Sequence, residues 1–269
     1  MGAKEHGAER NAVTLASVES MDRPSRRIGS ARLRRAAIEN FAAVVNRSIE
    51  AGTPFPLMES LVSISAAVQG TELSVLDEVE VRFDALAVAL ATSDILHISL
   101  GLFVGEGSFV GNRLDYNDPA NSMIDRVLEN RRGIPISLSV VLMEVARRCG
   151  VDVVGIGMPG HFLAALAPEE GGDPELFIDP FNAGRLMTAA GCEDLFHSLV
   201  GSGHRFDRRF LAPVSTSAIV ERTLNNLKAV FMQRDDVDSL WVVMTLRSCL
   251  PGLERAERDE FRRMMGPLN

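Results

Sequence analysis

The sequence predicts an α+β fold in which one buried helix packs on a short antiparallel sheet, with further helices before and after. Three observations lead there. The segment IPISLSVVLMEVARRC (134–149) is apolar almost all round from Ile136 to Ala146, which marks a helix enclosed by the core rather than lying on it. Three short apolar runs follow, VDVVGIGM, HFLAALA and ELFIDP, separated by a Pro-Gly turn and the PEEGGDP loop, and these read as strands. Stretches with apolar residues at helical spacing lie on both sides.

Residues 1–28 are polar, mixed in charge and without periodicity, so a disordered tail is expected there. From Ser30, ARLRRAAIENFAAVVNRSIEAG sets Leu33, Ala37, Phe41, Val44 and Val45 on one face, and Gly52 stops the helix. PLMESLVSISAAVQG, ended by Gly70, and LSVLDEVEVRFDALAVALA, apolar at Val79, Phe83, Leu86 and Leu90, give two more helical stretches. SDILHISLGLFV and the loop GEGSFVGNRLDYNDPANS lead into the buried helix. Pro135 suits the first helical turn, where its missing N–H costs nothing. Arg147 and Arg148 suit the last turn, and Gly150 is a good terminator. Beyond the strands, TSAIVERTLNNLKAVFMQ and DSLWVVMTLRSCL are amphipathic and joined by the short RDD turn, hence an antiparallel pair. No Gly/Ser-rich or Pro-rich linker interrupts the chain. Residues 29–212 are expected to form the α+β domain and residues 213–269 a helical appendage.

The totals exclude several classes of partner. A net charge of −8 argues against nucleic acid, because binding a phosphate backbone needs a concentrated basic field. No apolar run approaches the roughly 18–20 residues that span a bilayer, and the opening residues carry no hydrophobic stretch of signal type. Cys149, Cys192 and Cys249 are widely spaced and fit no zinc or CxxC pattern, so reduced thiols in a cytoplasmic protein are expected. His6, His97, His197 and His204 show no ligand pairing, and His197 and His204 read as surface loop residues. Neither a metal nor another cofactor is expected. GIGMPG (155–160) follows a strand but opens another strand, so it lacks the geometry that cradles a dinucleotide phosphate.

The chemistry concentrates around His161 and Asp179. A helix N-terminus aimed at a strand carrying His, followed by a strand ending in Asp, suits nucleophilic acyl chemistry. The helix end lowers a thiol pKa and stabilises an oxyanion, the His takes the proton, and the carboxylate fixes the imidazole tautomer. The alternative is a structural pair, an imidazole bonded to a carboxylate at the sheet's end.

The order buried helix, Gly150, Val-rich strand, Gly-His161, strand, Ile-Asp179-Pro resembles the core of the transglutaminase-like superfamily, whose fold is papain-like. More closely, GNRLDYNDPANSMIDRVLENRRGIPISLSVVLMEVARRCGVDVVGIGMPGHFLAAL and LFIDPFNAG resemble the bacterial SirB-type family, named for regulation of an invasion response. The stretch containing NNLKAVF (225–231) is similar to that family's tetratricopeptide-like C-terminal part. The resemblance implies a Cys-His-Asp triad with the cysteine at the start of the buried helix, 14 or 15 residues before its terminal Gly. Counting back from Gly150 reaches Pro135 or Ile136, neither a nucleophile. His161 and Asp179 match the other two members.

The nearest replacement is Ser137, then Ser139, although helix-start or back-bonding serines are the default reading. Cys149 lies about 20 Å away at the far end of the helix, at 1.5 Å per residue. Asn112, Tyr116 and Asn121 are candidates to line the cleft, with Asx turns and caps as the alternative. Two functions follow from these residues. One is a non-catalytic module that binds a protein or small molecule. The other is an acyl-transfer or amide-hydrolysing enzyme using Ser137, or a water activated by His161.

Overall fold

The computed structural model describes residues 28–168 and 172–265. Of the expected tail, only Ile28 falls among them. The order begins with four helices: α1 (Ile28–Ala51), α2 (Leu57–Gln69), α3 (Val75–Leu90) and α4 (Ile95–Phe103). A two-residue strand β1 (Val110–Gly111), a 3₁₀ turn (Pro119–Ser122), α5 (Ile124–Asn130) and β2 (Arg132–Gly133) lead to the buried helix α6 (Pro135–Arg148). Then come β3 (Val153–Ile156), β4 (Leu163–Leu166), β5 (Phe177–Asp179), a 3₁₀ turn (Pro180–Asn182) and β6 (Arg185–Met187). The chain ends in α7 (Ala189–Val200), a 3₁₀ turn (Arg208–Leu211), α8 (Thr216–Gln233), α9 (Val237–Ser248) and α10 (Glu254–Met265).

The architecture is a mixed α+β one, and α6 is its axis. Pro135 occupies its first position, and Ser137 Oγ accepts from the Ile134 N–H at 3.0 Å, which satisfies one of the donors a helix start leaves open. Gly150 ends it in the left-handed region, at φ 77°. From Pro135 to Ala146 every residue except Met143 is buried. Each large aliphatic side chain so enclosed contributes about 1.5–3 kcal/mol. The C-terminal end is tied down by Arg148, which bonds to Asp84 at 2.6 Å, pairs with Glu80 and Glu144, and lies over the Phe83 ring.

The sheet is an antiparallel meander in the order β3-β4-β5-β6, with Gly155 across from Ala164 and Ala164 across from Ile178. Alternation divides it. Phe162, Ala164 and Ile178 join the core around α6, while Leu163, Ala165 and Phe177 pack with Cys192 and Phe196 of α7. A separate pair, β1 and β2, runs parallel beside the start of α6.

The structure corrects three sequence expectations. The sheet gains β6, a three-residue strand whose exposed Arg185 and Leu186 show no apolar run. α7 and α10 were not expected either, and His197 lies within α7 instead of a loop. The core also continues past residue 212. Ile219, Leu224 and Leu227 of α8 and Leu240 and Val243 of α9 share one hydrophobic cluster with α1, α2 and α6. Val214 N also donates to Gly155 O on β3 at 2.9 Å, so the chain past residue 212 is bonded to the sheet.

Candidate functional site

His161 follows a tight turn. Its N–H donates to Met158 O at 3.1 Å, with Pro159 and then left-handed Gly160 (φ 77°) at the two central positions, as a type II turn requires. Asp179 ends β5, and its carboxylate caps the next turn, accepting from Asn182 N at 3.2 Å and Asn182 Nδ2 at 2.5 Å. The two side chains meet. His161 Nε2 lies 3.0 Å from Asp179 Oδ1, with His161 5% exposed and Asp179 fully buried. An ionised carboxylate only accepts, so with Asp179 ionised the hydrogen sits on Nε2 and the Nδ1 lone pair is left for the cleft.

The cleft beside His161 is small, about 30 Å³, room for about one water. Ile134, Pro135 and Ile136, the residues at the start of α6, also line it. Tyr116, Arg222 and Asn226 close other sides. Arg222, from α8, donates to His161 O at 2.7 Å and to Met158 O at 3.2 Å, and lies over the Phe162 ring at 5.3 Å. It therefore holds the turn that carries the imidazole. Burial pushes the Arg222 guanidinium below its ordinary pKa and the Tyr116 hydroxyl above its own. Phe181 stands edge-on to both His161 and Tyr116, under the Arg113 guanidinium, which also bonds to the Asn182 side chain.

The sequence candidates separate here. His161 and Asp179 come together, and Tyr116 joins them at the cleft. Ser137 does not line it. Its hydroxyl, 7% exposed, accepts from Ile134 N and donates to Asn121 O at 2.6 Å, the bonds of a helix-start serine and not of a nucleophile aimed at His161. Ser139 is fully buried and has no hydrogen-bond partner among the described residues. Asn112 and Asn121 are buried and bonded to each other at 3.0 Å. Asn121 Nδ2 also donates to the backbone carbonyls of Asp115 and Tyr116, so these two asparagines shape the loop and leave Tyr116 to present its ring. Among the described residues no group of three His, Cys, Asp or Glu gathers to hold a metal. Arg222 and Asn226 were missed. They lie on the far amphipathic helix, where an arginine and an asparagine give no local signal.

Residues 71–225 match the model of the transglutaminase-like superfamily. The chain belongs to that superfamily. The matched span runs from the start of α3 into α8 and contains α6, the sheet, His161, Asp179 and Arg222. Among curated proteins the chain is 38% identical over 133 residues to a UPF0162 protein of Xylella fastidiosa, covering 48% of this chain and 46% of that one. It is 30% identical over 136 residues to a UPF0162 protein of Vibrio cholerae, covering 51% and 49%. It is also 28% identical over 185 residues to the human F-box only protein 21, covering 67% of this chain and 27% of that one. The matches thus span about half the length of the bacterial relatives and about a quarter of the human one. No solved structure matches the chain significantly. No single described helix is long and apolar enough to cross a membrane.

Pro135 and Ile136 line the cleft with His161, and the three cysteines are elsewhere: Cys149 caps the opposite end of α6, Cys192 is buried in α7 and Cys249 is buried at the end of α9. Burial pushes the Cys192 thiol up to about 12, with the Asp179 charge adding to the effect, and the Cys249 thiol likewise to about 12. A raised thiol pKa disfavours the thiolate, the form that acts as nucleophile.

Proposed function

We propose that this chain is a non-catalytic transglutaminase-like module of the SirB type, using its His161–Asp179 platform and cleft for binding and regulation. One observation carries the reading: Ile134, Pro135 and Ile136 line the cleft beside His161, and the hydroxyl of Ser137 is committed to the backbone. A His–Asp pair without a nucleophile retains a hydrogen-bonding surface and loses covalent catalysis, because function resides in the site and not in the fold. In the same reading α8 and α9, with the NNLKAVF stretch, correspond to the tetratricopeptide-like part and supply one wall of the cleft through Arg222.

A second reading is hydrolysis by a water that His161 activates, favoured by a cleft that holds about one water beside the imidazole. The test treats the purified chain with a fluorophosphonate and an activated acyl ester. The module reading expects no label on any serine, and ester turnover unchanged in Ser137→Ala and His161→Ala. A label lost in Ser137→Ala, or turnover falling tenfold or more in His161→Ala, overturns it.

A further inference from the structure

Beside α3, sharing no lining residue with the His161 cleft, runs an apolar trough of about 420 Å³. Ala85, Leu86 and Ala89 recur along one face of α3 at helical spacing, and the buried Phe109 and Leu128 close the floor. Its volume falls in the usual range for small-molecule sites, about 300–1,000 Å³.

The charges at the trough do not cancel. Glu129 lines it, but its Oε2 already accepts from Arg126 Nη1 at 2.6 Å. Arg82 also lines it, one turn before Leu86, and forms no hydrogen bond or ion pair with any described residue, Glu78 one turn earlier included. Arg131 donates through Nη1 to Gly107 O at 2.6 Å and lies over the Phe109 ring at 5.2 Å. Those contacts fix its guanidinium at the trough without neutralising it. Arg131 also ends α5 in the left-handed region, at φ 49°, where glycine would cost less. Two cations without a carboxylate partner thus border an apolar trough, in a chain whose net charge is −8. A guanidinium pairs with a carboxylate through charge-assisted hydrogen bonds, and it repels an ammonium or a metal ion.

We propose that this trough binds a free medium-chain aliphatic carboxylic acid. Its hydrocarbon chain lies along Ala85, Leu86 and Ala89, and its carboxylate accepts from Arg82 and Arg131. The site is independent of the His161 platform.

The test titrates the ¹⁵N-labelled full chain with sodium octanoate at neutral pH, followed by NMR. The expected result is saturable shifts of the Ala85, Leu86, Ala89 and Arg131 amides. Arg82→Gln removes a side chain that holds nothing else, so the fold is kept and affinity should fall about threefold. Adding Arg131→Gln should bring the loss to about tenfold. Octanol, with the same chain and no charge, should also bind about tenfold more weakly than octanoate, and octylamine more weakly still. Ala89→Phe should fill the trough and abolish the shifts. No saturable shift with octanoate overturns the proposal. So does equal affinity for octanoate and octanol, or for octanoate in the wild type and in Arg82→Gln.

Discussion

His161 is fixed at three points: its ring by Asp179, its N–H by Met158 O, and its carbonyl by Arg222. A side chain held this way keeps its orientation whether or not it has chemistry to perform. Ser137 has the opposite character, since its hydroxyl serves only the helix start. Ser137→Ala removes the acceptor for Ile134 N–H and the donor to Asn121 O, so thermal or urea unfolding should show a loss of about 1–3 kcal/mol. The cysteines give a pH test. Cys192 and Cys249 are raised from 9.0 to about 12, so the native state keeps protons that the unfolded state releases. Their contribution to stability is present in full below about pH 9 and is lost as pH rises from there to about 12. Urea unfolding at stepped pH should show that decline, flattened in the Cys192→Ala, Cys249→Ala double variant.

At the level of elements, α6 was legible because no stripe of it is polar, and His161 and Asp179 were legible because Pro-Gly and Asp-Pro punctuate the strands that carry them. The rest of the site was not. Arg222 sits on one face of an amphipathic helix far along the chain, and only the packing of α8 against the sheet brings it to His161. Asn112 and Asn121 carried a real ambiguity between cleft and turn, which burial decides in favour of the turn. The helix α10, ERAERDEFRRMM, looks like a solvated charge run, yet its Glu257 is 2% exposed and binds Arg247 of α9 at 2.7 Å and Lys228 of α8 at 3.0 Å. One carboxylate ties three helices together. Glu257→Ala leaves two cations without their shared partner, and calorimetry should register a loss of about 3–5 kcal/mol.

On the scale of the whole molecule, the helices beyond residue 212 share their core with the rest of the chain. Amphipathic periodicity in α8 and α9 shows that each has an apolar face, and says nothing of what that face meets. The core cluster joins them to α1, α2 and α6, so the chain should unfold as one cooperative unit. Fluorescence of Trp241, the single tryptophan, on α9, and far-UV circular dichroism should give coincident transitions, whereas an independent appendage would give two. This continuity lets a helix from the end of the chain complete the platform that faces the start of α6. That platform is the central claim: His161, held by Asp179, shares a cleft with the start of α6 and is proposed to address it. The direct measurement is iodoacetamide alkylation of Ile136→Cys near pH 7. A thiol at a helix N-terminus beside an oriented imidazole should react faster than Cys149 in the same chain, and at least tenfold more slowly once His161→Ala is added. A rate no greater than that of Cys149, or one indifferent to His161→Ala, would contradict it.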